Sequence, residues 1–212
     1  VGEPYKSKLY LYKIEKFENA EKIAPPFYWL FNVKHSMAPY KVVWKRIAGA
    51  ITGKATNFAS AVIEPFNGRP IILNDGLILI PFERPEEAYY VSGILNSSIA
   101  LLVIASYTYE LRQETHIIKH IKILKFNLKN PLHLKISELS KKAHDIAKEI
   151  YQNNREDLKN ELIKIEEEID TSVAELYEIN GKELEEIKKC LIILRGEEIY
   201  NEIYDLNLLG HF

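Results

Sequence analysis

Residues 75–107 read DGLILIPFERPEEAYYVSGILNSSIALLVIASY, and this stretch decides the fold. Asp75-Gly76 is a turn signal, and residues 77–80 form a short apolar run suited to a buried strand. Pro81 and Pro85 then punctuate the chain. Pro85 fits the first turn of a helix, where its missing N–H costs nothing, and Glu86 and Glu87 complement the positive end of the helix dipole. Only Gly93 interrupts the pattern before Tyr107, so the stretch predicts a strand, a tight connection and one long helix. That helix is apolar nearly all round over residues 99–105 and must be buried.

Upstream, YKVVWKRIA at residues 40–48 is the best strand in the chain, with Val42, Trp44 and Arg46 on one face and Val43, Lys45 and Ile47 on the other. Both faces mix apolar and basic residues. A loop of small residues around Gly49, Gly53 and Asn57 leads to a strand at 59–63. Asn67-Gly68 is a hairpin signal, and residues 71–73 and 77–80 continue a small antiparallel sheet. Before residue 40 the chain is aromatic; residues 9–14 alternate as a strand would, and Pro25-Pro26 breaks any helix begun near Glu18. Downstream, residues 110–120 are polar and basic, and IKILKF at 121–126 predicts a last strand.

From Ser137 the period becomes helical. Leu139, Ala143, Ile146 and Ile150 mark one amphipathic helix; Leu158, Leu162, Ile165, Ile169, Val173 and Leu176 mark a second after a polar break at 152–157. Their narrow stripes approach a heptad seam, open to a hairpin, to packing on the sheet or to dimerisation through the helical tail. Asn180-Gly181 ends the second helix, and residues 183–194 form a third with Ile187, Leu191 and Leu194 inward. The expected class is α+β: a small, mainly antiparallel sheet with one long buried helix, followed by an amphipathic helical tail. Residues 1–130 form the mixed domain and residues 131–212 the helical extension.

The chain has 212 residues, 47% hydrophobic and 27% charged, which suits a globular fold. It opens on Val1 and its one methionine is Met37, so a piece of a longer protein is expected. No basic-then-apolar leader is present, and the longest apolar run, 99–105, is too short to cross a bilayer; no membrane partner is expected. The lone Cys190 has no internal disulfide partner, which suits a reducing cytoplasm. The net charge of −2 conceals a split. Residues 1–130 carry 17 Lys and Arg against 11 Asp and Glu, a balance of +6, and residues 131–212 carry 11 against 19, a balance of −8. A basic half points to a polyanionic partner, and an acidic half is the ordinary surface of solvated helices.

The chemical motifs are mostly negative. Gly49 to Lys54 resembles a phosphate loop but is one residue short between its glycines, and Ala55 stands where a magnesium-binding hydroxyl belongs. His116 and His120 could share a metal, but lack a third ligand and an intervening Glu, so they read as a surface or DNA-facing pair. Asn96-Ser97-Ser98 fits a glycosylation pattern inside a helix expected to be buried. Glu166 to Glu168 and Glu185-Glu186 are solvated faces. No nucleophile elbow, Cys/His pair or dinucleotide glycine fingerprint occurs, and no catalytic residues are assigned.

Three stretches together resemble the C-terminal target-recognition domain of TaqI-like adenine-specific DNA methyltransferases and fused restriction-modification enzymes. They are YKVVWKRI (40–47); the segment 74–80 leading into Glu86-Glu87-Ala88-Tyr89-Tyr90 and Ile94-Leu95-Asn96-Ser97; and SELSKKAHDIAKE (137–149) followed by IEEEIDTSVAELYEI (165–179). The resemblance implies that a separate N-terminal domain binds S-adenosylmethionine and methylates a flipped adenine, while this domain reads duplex DNA. That family's catalytic motif, Asn/Asp/Ser-Pro-Pro-Tyr/Phe, is matched here only by Ala24-Pro25-Pro26-Phe27, and Ala24 cannot accept the hydrogen bond that polarises the target amine. No methylation, and no cofactor, is expected of this stretch itself.

Lys and Arg neutralise phosphates, and Arg, Asn and Gln read base edges. The candidate DNA contacts are Lys45, Arg46, Lys54, Asn57 and Arg69 before the helix, and Arg112, Gln113, His116 and Lys119 after it. Tyr107 and Tyr109 could stack on a base or cap the core; the core is the favoured reading. Two alternatives stand beside this one: a domain like that of a type I restriction specificity subunit, and a helical protein-interaction module without DNA contact.

Overall fold

The computed structural model describes residues 36–46, 58–74, 76–107 and 115–195, and the chain divides into two compact units, residues 1–37 and 38–212. The motifs expected at 9–14, 24–27 and 49–55 lie outside the described residues, as does Tyr109. All elements below belong to the second unit.

Strand β1 (Tyr40–Lys45) is the centre of a three-stranded antiparallel sheet, between β2 (Ser60–Ile63) and β3 (Leu77–Phe82). Val42 faces Val62 on one side and Ile80 on the other, a β-branched row that packs well on a pleated surface. The Asn67-Gly68 signal is realised as a two-residue turn, with φ of +50° and +74°, closing a bridge between Phe66 and Arg69. The strand expected at 71–73 does not form. Both edges of β1 are already occupied, and Ile71 and Ile72 are exposed.

The single long helix expected over 85–107 is two helices. Helix α1 (Pro85–Asn96) and helix α2 (Ser98–Tyr107) meet at 64°, with Ser97 in an extended conformation between them. The break comes from polar groups within the apolar run. Ser97 Oγ donates to Ile94 O (2.7 Å), closing the end of α1. Asp170, from a distant helix, accepts the Ser98 N–H (2.7 Å) and the Ser98 hydroxyl (2.6 Å), so its carboxylate caps α2 at the positive end of the dipole. Helix α2 is also less buried than its composition predicts: Ala100 and Ile104 are buried, and Tyr107 is half exposed.

Helix α3 (Pro131–Asn153) starts six residues before the expected Ser137. Asn130 Oδ1 accepts the Leu132 N–H (2.9 Å), and Pro131 occupies the first turn. Helices α4 (Lys159–Leu176) and α5 (Gly181–Arg195) follow. Asn180 opens α5 rather than closing α4: its Oδ1 accepts from the Lys182 and Glu183 N–H groups, while Glu183 accepts from the Asn180 N–H. The inward residues of α5 include Leu184 and Leu191; Leu194, expected inward, is exposed.

Val42 and Trp44 of β1, Tyr90, Ile94 and Leu95 of α1, Ile136, Ile146 and Ile150 of α3, and Ile165, Ile169 and Val173 of α4 form one hydrophobic core. Each large apolar side chain buried there contributes about 1.5–3 kcal/mol. The expected border at 130/131 therefore runs through a shared core: α3 packs on α1, and α3 and α4 lie side by side, joined at the surface by Lys142 and Glu161 (2.8 Å). The heptad-like stripe of α4 faces this core, with Ile165, Ile169 and Val173 all buried. Among the described residues no single helix is long and apolar enough to cross a membrane; α1 and α2 pass on length and composition only as a bent pair, and α1 buries Ala88 to Leu95 in the fold.

Candidate nucleic-acid interface

Between α2 and α3 the chain forms a 3₁₀ helix (Thr115–His120) and then runs without regular secondary structure to a turn at residues 127–130, closed by the Asn130 N–H on Asn127 O (3.0 Å). IKILKF, expected to be a strand, does not form one and has no strand partner among the described residues. Its polar backbone is held by side chains instead: the Tyr177 hydroxyl donates to Lys122 O (2.7 Å), the Tyr90 hydroxyl donates to Leu124 O (3.1 Å), and the Asn127 N–H donates to His133 Nδ1 (3.1 Å). Burial raises the pKa of both tyrosines, keeping them protonated as donors. Ile121, Ile123 and Phe126 pack against the core, while Lys119, Lys122, Lys125 and Lys129 stay exposed. Residues 115–137 contain five lysines and no Asp or Glu. None of the four exposed lysines is in an ion pair with a described residue. The result is a basic strap on a rigid base, with no carboxylate of its own to neutralise it.

The structure brings few of the candidate contacts together. Lys45 is exposed at the end of β1, and Arg46 follows it half-buried, its N–H donating to Gly76 O (2.9 Å). Arg69 is exposed on the Asn67-Gly68 turn. Trp44 pairs with Ser60 and Lys41 with Ile63, so the turn lies beyond the opposite end of β1 from Lys45. At roughly 3.3 Å per residue, the paired stretch alone carries the chain about 10 Å away from the Lys45 end before the turn begins. Lys119 is exposed on the strap, and His116 lies on the same 3₁₀ helix. Lys54, Asn57, Arg112 and Gln113 lie outside the described residues. Lys122, Lys125 and Lys129 were not singled out in the sequence; the run without carboxylates was the available signal. Lys41, one of the basic residues of the 40–48 strand, is fully buried, its ammonium donating to Ala38 O, and burial lowers its pKa.

Tyr107 does not cap the core. It is 50% exposed and stacks on His120, with ring centroids 3.8 Å apart and planes 5° from parallel. The pair stands where α2 ends and the 3₁₀ helix closes, beside Lys119. Two other histidines work inside the fold. His133 stacks on Tyr90 (4.6 Å) and accepts the strap's Asn127 N–H, so its own proton sits on Nε2. His144 accepts the Val62 N–H at Nε2 (3.1 Å) and donates from Nδ1 to Ser140 O (2.7 Å), tying β2 to α3. Burial lowers the pKa of both, favouring the neutral acceptor form.

No group of three or more His, Cys, Asp or Glu side chains among the described residues is placed to hold a metal ion. Comparison of the chain with protein-family models, with curated proteins and with solved structures finds no match.

Proposed function

We propose that this chain binds duplex DNA as the non-catalytic target-recognition domain of an adenine-specific DNA methyltransferase or restriction-modification enzyme. The observation that supports DNA binding is the strap, where Lys119, Lys122, Lys125 and Lys129 are exposed in a run of 23 residues without a carboxylate. Phosphates are the ligand such a surface attracts, and lysines can hold a phosphate backbone without reading its sequence. Lys45 and Arg46 offer a second, separate contact at the end of β1. The assignment to a methyltransferase rests on the resemblance of residues 40–47, of the segment from 74–80 through 86–90 to 94–97, and of 137–149 with 165–179, which implies an S-adenosylmethionine-binding domain N-terminal to this one in the same protein.

The test is a salt series on a duplex oligonucleotide. Affinity should fall with rising salt along a log–log slope of about −2 to −4, and each phosphate contact removed by a Lys→Gln change in the strap should flatten it by about 0.9. Arg46→Ala should weaken binding further. Absence of binding at low salt, or an unchanged slope after all four strap lysines are replaced, refutes the proposal.

A further inference from the structure

We propose that the Tyr107–His120 pair is a stacking platform for an unpaired nucleobase, with the strap lysines holding the phosphates on either side. This rests on the reading of the strap as a phosphate-binding surface. One face of Tyr107 is covered by His120 at 3.8 Å, and half of the residue remains in solvent. His120 is exposed as well. Two rings ordered face to face on the surface leave much of their apolar area in water, and a third flat ring continuing the stack would bury it.

The surroundings select the kind of ring. Lys119 is the chain neighbour of His120, Lys122 lies two residues beyond, and no carboxylate intervenes up to residue 137. A flat ring joined to a chain of negative charges is a nucleotide in a strand, and aromatic side chains beside a basic track are the general means of holding one. Within an intact duplex both faces of each internal base are occupied by its neighbours. The ligand is therefore a base already out of the stack, whether in a single strand, at a frayed end or extruded from a duplex.

Three oligonucleotides carrying a fluorescent adenine analogue separate these sources: a paired duplex, the same duplex with the analogue as an unpaired bulge, and the single strand. The bulged duplex or the single strand should bind at least about 5-fold more tightly than the paired one, the lower end of what stacking on an aromatic side chain contributes, and the analogue's emission should be quenched on binding. Tyr107→Ala and His120→Ala should each reduce that preference towards unity without changing affinity for the paired duplex or the thermal melt, and Tyr107→Phe should keep it. Equal affinity for paired and unpaired probes without quenching, or a preference that survives Tyr107→Ala, overturns the platform while leaving salt-dependent duplex binding intact. Tyr107-dependent quenching of the single strand without duplex binding supports the platform and removes the duplex reading instead.

Discussion

Asn96 serves β2 much as a neighbouring strand would. Its Oδ1 accepts the Ser60 N–H (2.7 Å) and hydroxyl (3.1 Å), and its Nδ2 donates to Ser60 O (2.9 Å), so one amide satisfies both backbone groups of a residue that is itself buried. Removing it leaves those groups without partners in a place water reaches poorly. Asn96→Ala should cost about 2–3 kcal/mol, read as a lower urea midpoint at unchanged slope. A loss below about 0.5 kcal/mol would mean that water replaces the amide. Little of this was legible in Asn96-Ser97-Ser98. The partners that give the three residues their roles, Ser60 and Asp170, are 36 and 72 positions away. The same distance hid the bend, since nothing local to an apolar run announces that a remote carboxylate will cap its second half.

The elements follow from local pattern wherever their partners are also local or periodic. The spacing of Leu139, Ala143, Ile146 and Ile150 marks α3, and that of Ile165, Ile169 and Val173 marks α4, because a stripe at helical period needs only one apolar surface to face. IKILKF shows the limit: its alternation is that of a strand, but a strand exists only where another edge is free, and two tyrosine hydroxyls took the carbonyls instead. The separation of Lys45 from Arg69 was likewise illegible, because it depends on strand register. Gly93 carries a packing demand at this scale. A Cβ placed there would lie 3.0 Å from Ile136 Cγ2 and 3.1 Å from Ser140 Cβ, atoms fixed close to the backbone of α3. Gly93→Ala gains about 1 kcal/mol of helix propensity, but it forces α1 and α3 apart at a fully buried crossing. The net effect should be a loss of about 1–2 kcal/mol in chemical denaturation; a more stable variant would show that α3 shifts freely.

Across the whole molecule, two histidines on one helix couple separate parts of the fold to pH. His133 holds the strap on α3 and His144 holds β2 on it, each through a neutral ring nitrogen that accepts a backbone N–H. The groups facing His144 include Tyr89 in edge contact, with Glu64 and Asp145 opposing the effect of burial; His133 is enclosed by Tyr90 and Phe126. Both folded pKa values lie below the ordinary 6.5, so the unfolded chain takes up protons first as pH falls. Their contribution is complete above pH 6.5 and is lost as pH falls through the folded values. Thermal melts should show a decline below pH 6.5 that is reduced when both histidines are replaced by glutamine; an equal decline in that variant would place the titration elsewhere.

The strand order has a consequence for how the chain is made. β1, the middle of the sheet, is the first of its strands to leave the ribosome, and it must wait with both edges bare for residues 60–63 and then 77–82. The helices that close the core come later still, with Val173 among the last of its residues. A nascent chain extending only to residue 130 lacks Ile136 and Ser140, the surface against which Gly93 rests. Acquiring the native core is therefore a late event in synthesis, completed only once the acidic C-terminal helices have emerged.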